Sequence, residues 1–328
     1  MNLITILTLA NNLQASDVHL VSKAVPWLRI NGLLGPLDQA PILSREELSS
    51  MLLAIMDEKL QAALIKELAV DFAYTIPDVA RFRVNVFWEK KGIAAVFRII
   101  PATILSLAAL QLPKVVEELA LFENGLVLVT GPTGSGKTTT LASMVDFINQ
   151  HTSRHIITIE DPVEFIHQNK QSLITQREVG RDTLSFSSAL RAALREDPDV
   201  LLIGELRDLE TIRLALTAAE TGHLVLGTLH TVSAPKAVTR ITDVFPGNEQ
   251  ALVRTMLADS LKAVIAQMLC KNKAGARVVA TEIMITTPAI ANLMRENKIA
   301  QLKSQIQTGA AYGMHTLEQD LERLAALR

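Results

Sequence analysis

The spacing of apolar positions changes period along this chain, and the changes divide it. Over residues 1–100, helical and strand-like stretches are mixed. A first helix is predicted through Asn2–Leu13, followed by short strands near Val18–Leu20 and Trp27–Ile30. Asn31-Gly32 is a hairpin turn signal. Ser44 and Glu47 are spaced as a capping box at the head of an apolar-periodic run that reaches Met56, and a second helix is predicted over Glu58–Leu68. Strand candidates at Asp71–Thr75, Arg81–Glu89 and Gly92–Ile100 complete a small α+β domain over residues 1–100. Pro101 and the segment Leu105–Pro113 read as a linker, residues 101–113.

From Val115 the pattern becomes strand–helix alternation, which predicts a doubly wound, mostly parallel sheet in a second domain over 114–328. Its strand candidates are Leu126–Thr130, Ile156–Ile159, Val200–Ile203 and Leu224–Thr228. Helices between them include Ser187–Arg195 and Leu209–Glu220, the latter stopped by Gly222. Beyond Pro246-Gly247 the pattern is mostly helical, with one strand near Val278–Ile285. The last helices, about Pro288–Glu296 and His315–Leu327, form a C-terminal appendage.

Composition narrows the class. Hydrophobic residues at 49% of 328 exclude disorder. No apolar run approaches the ~18 residues of a membrane span, so no direct membrane insertion is expected. The start, Met1–Asn12, is apolar but has no basic flank or cleavage site, so it reads as a helix and not a signal peptide. Cys270 is the one cysteine, which excludes an internal disulfide and a multi-cysteine zinc site and suits a reducing cytosol. A net charge of −2 with 4% aromatics gives no reason to expect a nucleic-acid partner.

The chemistry begins where the Leu126–Thr130 strand ends. Gly131, Pro132, Thr133, Gly134, Ser135, Gly136, Lys137 and Thr138 fit G-x-x-x-x-G-K-[ST] at every fixed position. Thr139 then opens a run with apolar residues at Leu141, Met144, Val145 and Ile148, which is helical spacing. Glycines let successive backbone N–H groups turn inward around a polyphosphate, and the helix N-terminus adds its positive end. Lys137 would reach the β- and γ-phosphates of ATP, and the Thr138 hydroxyl would sit on Mg²⁺.

Three further strand ends are polar, the edge at which an open α/β sheet binds ligands. Ile156–Ile159 leads into Glu160, Asp161 and Glu164, carboxylates suited to positioning a metal or activating water; a solvated loop is the competing reading. Val200–Ile203 leads into Glu205, in the position of an acidic residue that holds Mg²⁺ directly or through water. Leu224–Thr228 leads into His230, either a structural histidine or a group that senses the γ-phosphate. In the first domain Arg81 and Arg83 share one face of a strand, with Arg98 on the next. These arginines are either a solvated face or phosphate-binding fingers offered to a neighbouring subunit.

With these motifs in view, the sequence resembles the secretion ATPase superfamily of P-loop hexameric motors, and within it the PilT-type ATPases that retract type IV pili. The resemblance rests on Ser16–Leu20, Arg81–Phe87, Gly131–Met144, Ile157–His167, Leu190–Ile212, Ala218–Thr231 and Ile306–Leu317. It implies a RecA-like ATPase domain preceded by a PAS-like domain, ATP and Mg²⁺, and a homo-hexamer. Glu164 matches the catalytic glutamate, Glu205 the Walker B glutamate and His230 the box histidine; Arg81 and Arg98 match arginines that reach an adjacent subunit. The implied partner is an inner-membrane pilus platform protein, engaged from the cytoplasm. A pilus-assembly or type II secretion ATPase and a nucleic-acid translocase are the alternatives. The family's retraction signature AIRNLIRE reads AIANLMRE over Ala289–Glu296, with Ala291 and Met294 as the departures, which leaves open an accessory paralogue.

Overall fold

Strict alternation of Phe82, Val84 and Val86 with Arg81, Arg83 and Asn85 gives a strand one wholly buried face, and the first unit is organised around it. The computed structural model describes residues 1–100, 103–271 and 277–326, so Pro101 and Leu327 lie outside the described residues. The first unit comprises Met1–Thr103 with Glu164–Ile166. Its elements in order are α1 (Leu3–Asn12), β1 (Asp17–Val21), β2 (Trp27–Ile30), β3 (Leu33–Pro36), α2 (Arg45–Leu53), α3 (Glu58–Glu67), β4 (Ala69–Ile76), β5 (Ala80–Glu89) and β6 (Gly92–Ile100). The six strands form an antiparallel sheet in the order β3-β2-β1-β6-β5-β4.

Local chemistry accounts for the boundaries. Asn2 caps α1 and Asp57 caps α3, each accepting a backbone N–H of the first turn. Ser44 and Glu47 form the reciprocal capping box of α2, at 3.1 and 2.9 Å. Asn31 and Gly32 both take positive φ (51° and 85°), which a tight turn between right-twisted strands requires. The core lies between sheet and helices, with Phe82 and Phe97 edge to face at 6.3 Å.

The second unit comprises Ile104–Val163 and His167–Arg328. It runs α4 (Val115–Ala120), β7 (Gly125–Thr130), α5 (Lys137–His151), β8 (His155–Glu160), β9 (Leu173–Glu178), α6 (Phe186–Ala193), β10 (Val200–Ile203), α7 (Leu209–Glu220) and β11 (Leu224–Leu229). There follow α8 (Ala234–Asp243), α9 (Gln250–Ser260), β12 (Leu261–Lys271), β13 (Arg277–Ile285), α10 (Pro288–Arg295), α11 (Leu302–Thr308) and α12 (Leu317–Ala326). The sheet order is β13-β12-β7-β11-β10-β8-β9, parallel throughout except for the β12–β13 pair. Successive residues of β7 pack into opposite layers. Leu126 and Leu128 join a core with α6, α7 and α8; Val127 and Val129 join one with α4 and α5. This is the expected mostly parallel α/β arrangement.

Two strands were not legible as such. The stretch Leu261–Lys271, expected to be helical, is β12. Ala263 to Ala266 are buried, lying beside β7 on one edge and β13 on the other. A strand apolar on both faces has no period of two to betray it. Leu173–Glu178, whose pattern predicts no strand, is the edge strand β9.

Behind the sheet, α12 is tied to β13 through Asp320. Its side chain, 2% exposed, accepts the Thr281 N–H at 2.8 Å and the Arg323 Nε–H at 2.7 Å. Asp320→Ala leaves the buried Thr281 N–H unpaired, and a loss of about 1–3 kcal/mol is expected. Denaturant midpoints of the variant and parent check this.

Candidate nucleotide site

The C-terminal ends of β7, β8, β10 and β11 lie on one edge of the second unit's sheet, and each carries part of the motif chemistry. At the end of β7 the chain turns at Gly131, with φ +148°. A Cβ there would meet the carbonyl oxygen of Gln267 at 2.3 Å and the Ser135 Oγ at 2.5 Å, so no side chain fits. Gly136, at φ +90°, caps α5 without a side-chain hydrogen bond, which leaves the first-turn N–H groups for an anion. Pro132, Thr133 and Gly134 are exposed, Ser135 is buried, and Thr138 and Thr139 are half-buried.

Lys137 opens α5 and turns back over the loop. Its Nζ donates to the carbonyls of Gly131 at 2.9 Å and Pro132 at 3.1 Å. Burial lowers the lysine's pKa, and the charge of Glu205 works in the opposite direction. The P-loop lysine and the residue beyond β10 therefore share one electrostatic environment.

Glu205 is the hub of the edge. Its Oε1 faces His230 Nε2 at 3.1 Å, and its Oε2 accepts from Arg207 Nη2 at 2.7 Å. Burial pushes the carboxyl up, but the Arg207 hydrogen bond and charge, with those of His230, carry it below the usual carboxylate range. Thr228 Oγ1 donates to the Gly204 carbonyl and Leu206 N–H to the Thr228 carbonyl at 3.0 Å, locking the two strand ends together. Glu160, at the end of β8, accepts from Thr158 Oγ1 at 2.7 Å and Gln176 Nε2 at 3.3 Å, a polar network of its own.

Beside the first turn of α5 lies a cavity of about 230 Å³. Leu110, Leu269 and Val279 give it apolar walls, and Arg277, Gly136 and Thr139 add polar groups. An apolar slot of this kind, adjoining a phosphate loop, suits the base and sugar of a nucleotide.

The remaining candidates lie in the first unit. Arg81 Nη1 donates to Thr75 Oγ1 at 2.9 Å, and Arg98 Nε to Asp17 Oδ1 at 2.9 Å. Arg83 stands opposite Arg98 in the β5–β6 register. Glu164 groups with this unit, its Oε1 3.9 Å from Arg83 Nη1. The structure thus joins the phosphate loop, Glu205 and His230 in one unit, and places Arg81, Arg98 and Glu164 in the other.

Among the described residues, no group of three or more His, Cys, Asp or Glu could hold a metal alone. Mg²⁺ needs no such group, since it keeps several waters and takes phosphate oxygens plus one or two protein oxygens. The Thr138 hydroxyl, at the head of α5, and the Glu205 carboxylate, beyond β10, are side-chain oxygens of the kind such an ion takes. Two residues near the loop escaped the sequence reading, Gln267 and Arg277. The available signal for Gln267 was a lone polar side chain within the apolar run 263–270.

Known proteins resemble this chain over nearly its whole length. A family model described as type II/IV secretion system protein matches residues 4–324. The type IV pilus retraction ATPase PilT of Pseudomonas aeruginosa is 53% identical over 312 residues, covering 95% of this chain and 90% of that protein. The type IV pilus ATPase PilU of the same organism is 38% identical over 310 residues, 94% of this chain and 81% of PilU. A crystal structure of the pilus retraction motor PilT with bound ADP matches at a TM-score of 0.93 and 47% identity, covering 100% of this chain and 94% of the other. Among the described residues, no helix is long and apolar enough to cross a membrane.

Proposed function

This chain belongs to the type II/IV secretion system protein family, and from that premise we propose that it is an ATP-hydrolysing motor that powers retraction of a type IV pilus. The observation that carries the reading is the cluster at the sheet edge, where Glu205 bonds His230 and shares an electrostatic environment with Lys137 at the mouth of a glycine loop. Phosphoryl transfer asks for positioning and charge stabilisation more than covalent chemistry. The N–H groups around Gly134, Gly136 and Thr138 hold the phosphates, with Lys137 as the point charge. Thr138 and Glu205 would hold Mg²⁺, which would supply neutralisation of charge on the phosphate oxygens. Glu164 orients or deprotonates the attacking water, and His230 reports the γ-phosphate through its bond to Glu205.

The working form is a homo-hexamer in the cytoplasm, held at the inner membrane by a pilus platform protein. In such a ring the PAS-like first unit, residues 1–100, offers Arg81 and Arg98 to a neighbour's nucleotide. Ala291 and Met294, the departures from the retraction signature, are both buried in the core of the second unit; Ala291 stands where the signature has an arginine and Met294 where it has an isoleucine. Higher identity to PilT than to PilU favours retraction over an accessory role. The purified protein should release phosphate from ATP over many turnovers with Mg²⁺, and deletion should leave cells with excess, unretracted pili. A deletion strain with normal pilus numbers would remove the retraction reading while leaving the ATPase.

The trans role of Arg98 has its own test. Arg98 is well exposed and its partner Asp17 keeps Arg29 at 3.9 Å, so Arg98→Ala should fold and bind ATP. It should hydrolyse ATP poorly, and mixing with Lys137→Ala subunits should restore part of the rate. An intact loop on one subunit then faces an intact arginine from the next. The ATPase rate is measured against mixing ratio, with subunit exchange verified. A rate that never exceeds the average of the two parents sinks the trans arginine.

A further inference from the structure

Gln267 lies on β12, 3% exposed, one residue past the Ala266–Thr130 pair that ends the β12–β7 ladder. It meets the phosphate loop at three residues. Its backbone carbonyl occupies the space a side chain on Gly131 would need, and its Nε2 lies 3.3 Å from where a Cβ on Gly136 would stand. Between those points, Nε2 donates to the Ser135 carbonyl at 2.7 Å. The amide orientation is fixed by that contact, since the reverse would set two acceptors face to face. The hydroxyls nearby give the loop no such anchor, for Thr130 Oγ1, Ser135 Oγ and Thr140 Oγ1 are buried without a hydrogen-bond partner among the described residues.

What this bond controls follows from peptide geometry. The Ser135–Gly136 unit is planar, with its C=O and N–H pointing in opposite directions. Gly136 sits at φ +90°, where a glycine lets the neighbouring peptide plane rotate at little cost. Without an external anchor, the plane that presents the Gly136 N–H is poorly determined. We propose that Gln267 is a positioning residue for the phosphate cradle: by holding the Ser135 carbonyl toward β12, it aims the Gly136 N–H away from the sheet, to donate to a nucleotide phosphate. This rests on the reading of the loop as the ATP site. The Gln267 side chain itself touches no substrate; it acts through one peptide plane.

The test uses the full chain and two variants. Gln267→Met keeps length and bulk but cannot donate; Gln267→Glu keeps shape but presents a carboxylate to the Ser135 carbonyl. For Gln267→Met, the KM for ATP and the Kd for ADP should rise about tenfold, with kcat changed much less, the size of one lost buried hydrogen bond. Gln267→Glu should lose more at neutral pH. On acidification it should recover toward the parent measured at the same pH, because a protonated carboxyl donates again. Should Gln267→Met not fold, this recovery decides the matter alone. ADP affinity unchanged in Gln267→Met, or a Gln267→Glu defect that ignores pH, overturns the proposal. Failure of the parent protein to bind ADP would defeat the reading of the loop instead, a separate result.

Discussion

Lys137→Ala is expected to abolish ATP turnover. Lys137 is the only charged residue between Gly131 and Thr140, and its Nζ already lies over the loop on the carbonyls of Gly131 and Pro132. The transferred group spreads negative charge over its equatorial oxygens, and a fixed ammonium there lowers the barrier by stabilising that charge directly. Losing it should cost a factor on the order of 10² or more. The fold should survive: the lysine is half-exposed, its partners are two backbone carbonyls of the loop, and alanine is a good residue for the head of α5. Phosphate release by the purified variant, with folding checked by circular dichroism, gives the result. Near-normal release would end the assignment of the P-loop.

Glu164→Gln should separate binding from chemistry. The amide keeps the shape and most of the hydrogen bonding of the carboxylate but cannot take a proton or orient water by charge. Turnover should fall by a factor on the order of 10² or more, with ATP still bound. Its ion pair with Arg83, at 3.9 Å, is partly exposed. A pair of that kind is worth about 0–1 kcal/mol, so its loss cannot imitate the expected fall through unfolding. Equilibrium binding of a slowly hydrolysed ATP analogue, set against phosphate release, distinguishes the outcomes. Collapse of affinity would make Glu164 a ligand or a structural residue and require another base.

How much of this the sequence carried depends on which signals survive burial. The phosphate loop was legible because its requirements are steric and local: glycine where a side chain would strike Gln267, glycine again to open α5. Glu205 and His230 could be placed at strand ends because β10 and β11 are short apolar runs with abrupt polar termini. Their contact was not legible, since the β10–β11 pairing that brings them together joins residues distant in sequence. The strand β12 was lost for the opposite reason. Its apolar residues fill both faces, the alternation vanishes, and a buried helix fits the same string. Missing β12 also hid Gln267, whose importance comes from a neighbour more than a hundred positions away. In the first unit, the β5 alternation announced the arginine face, but the Arg83–Arg98 register needed the sheet itself.

The position of β7 in its sheet bears on how the chain is made. Leu126 pairs with Val225 on one side and Leu261 on the other, so both partners of this wholly buried strand come much later in translation. At about 5–20 residues per second, they leave the ribosome on the order of ten seconds after β7 itself. The six-stranded antiparallel sheet draws its strands from residues 17–100 and can close while that delay runs. Nascent chains stalled between β7 and β11 should therefore carry a protease-resistant first unit followed by a sticky, chaperone-dependent segment. Slowing synthesis by lowering the growth temperature prolongs that exposure, while weakening the hydrophobic attraction that makes it hazardous.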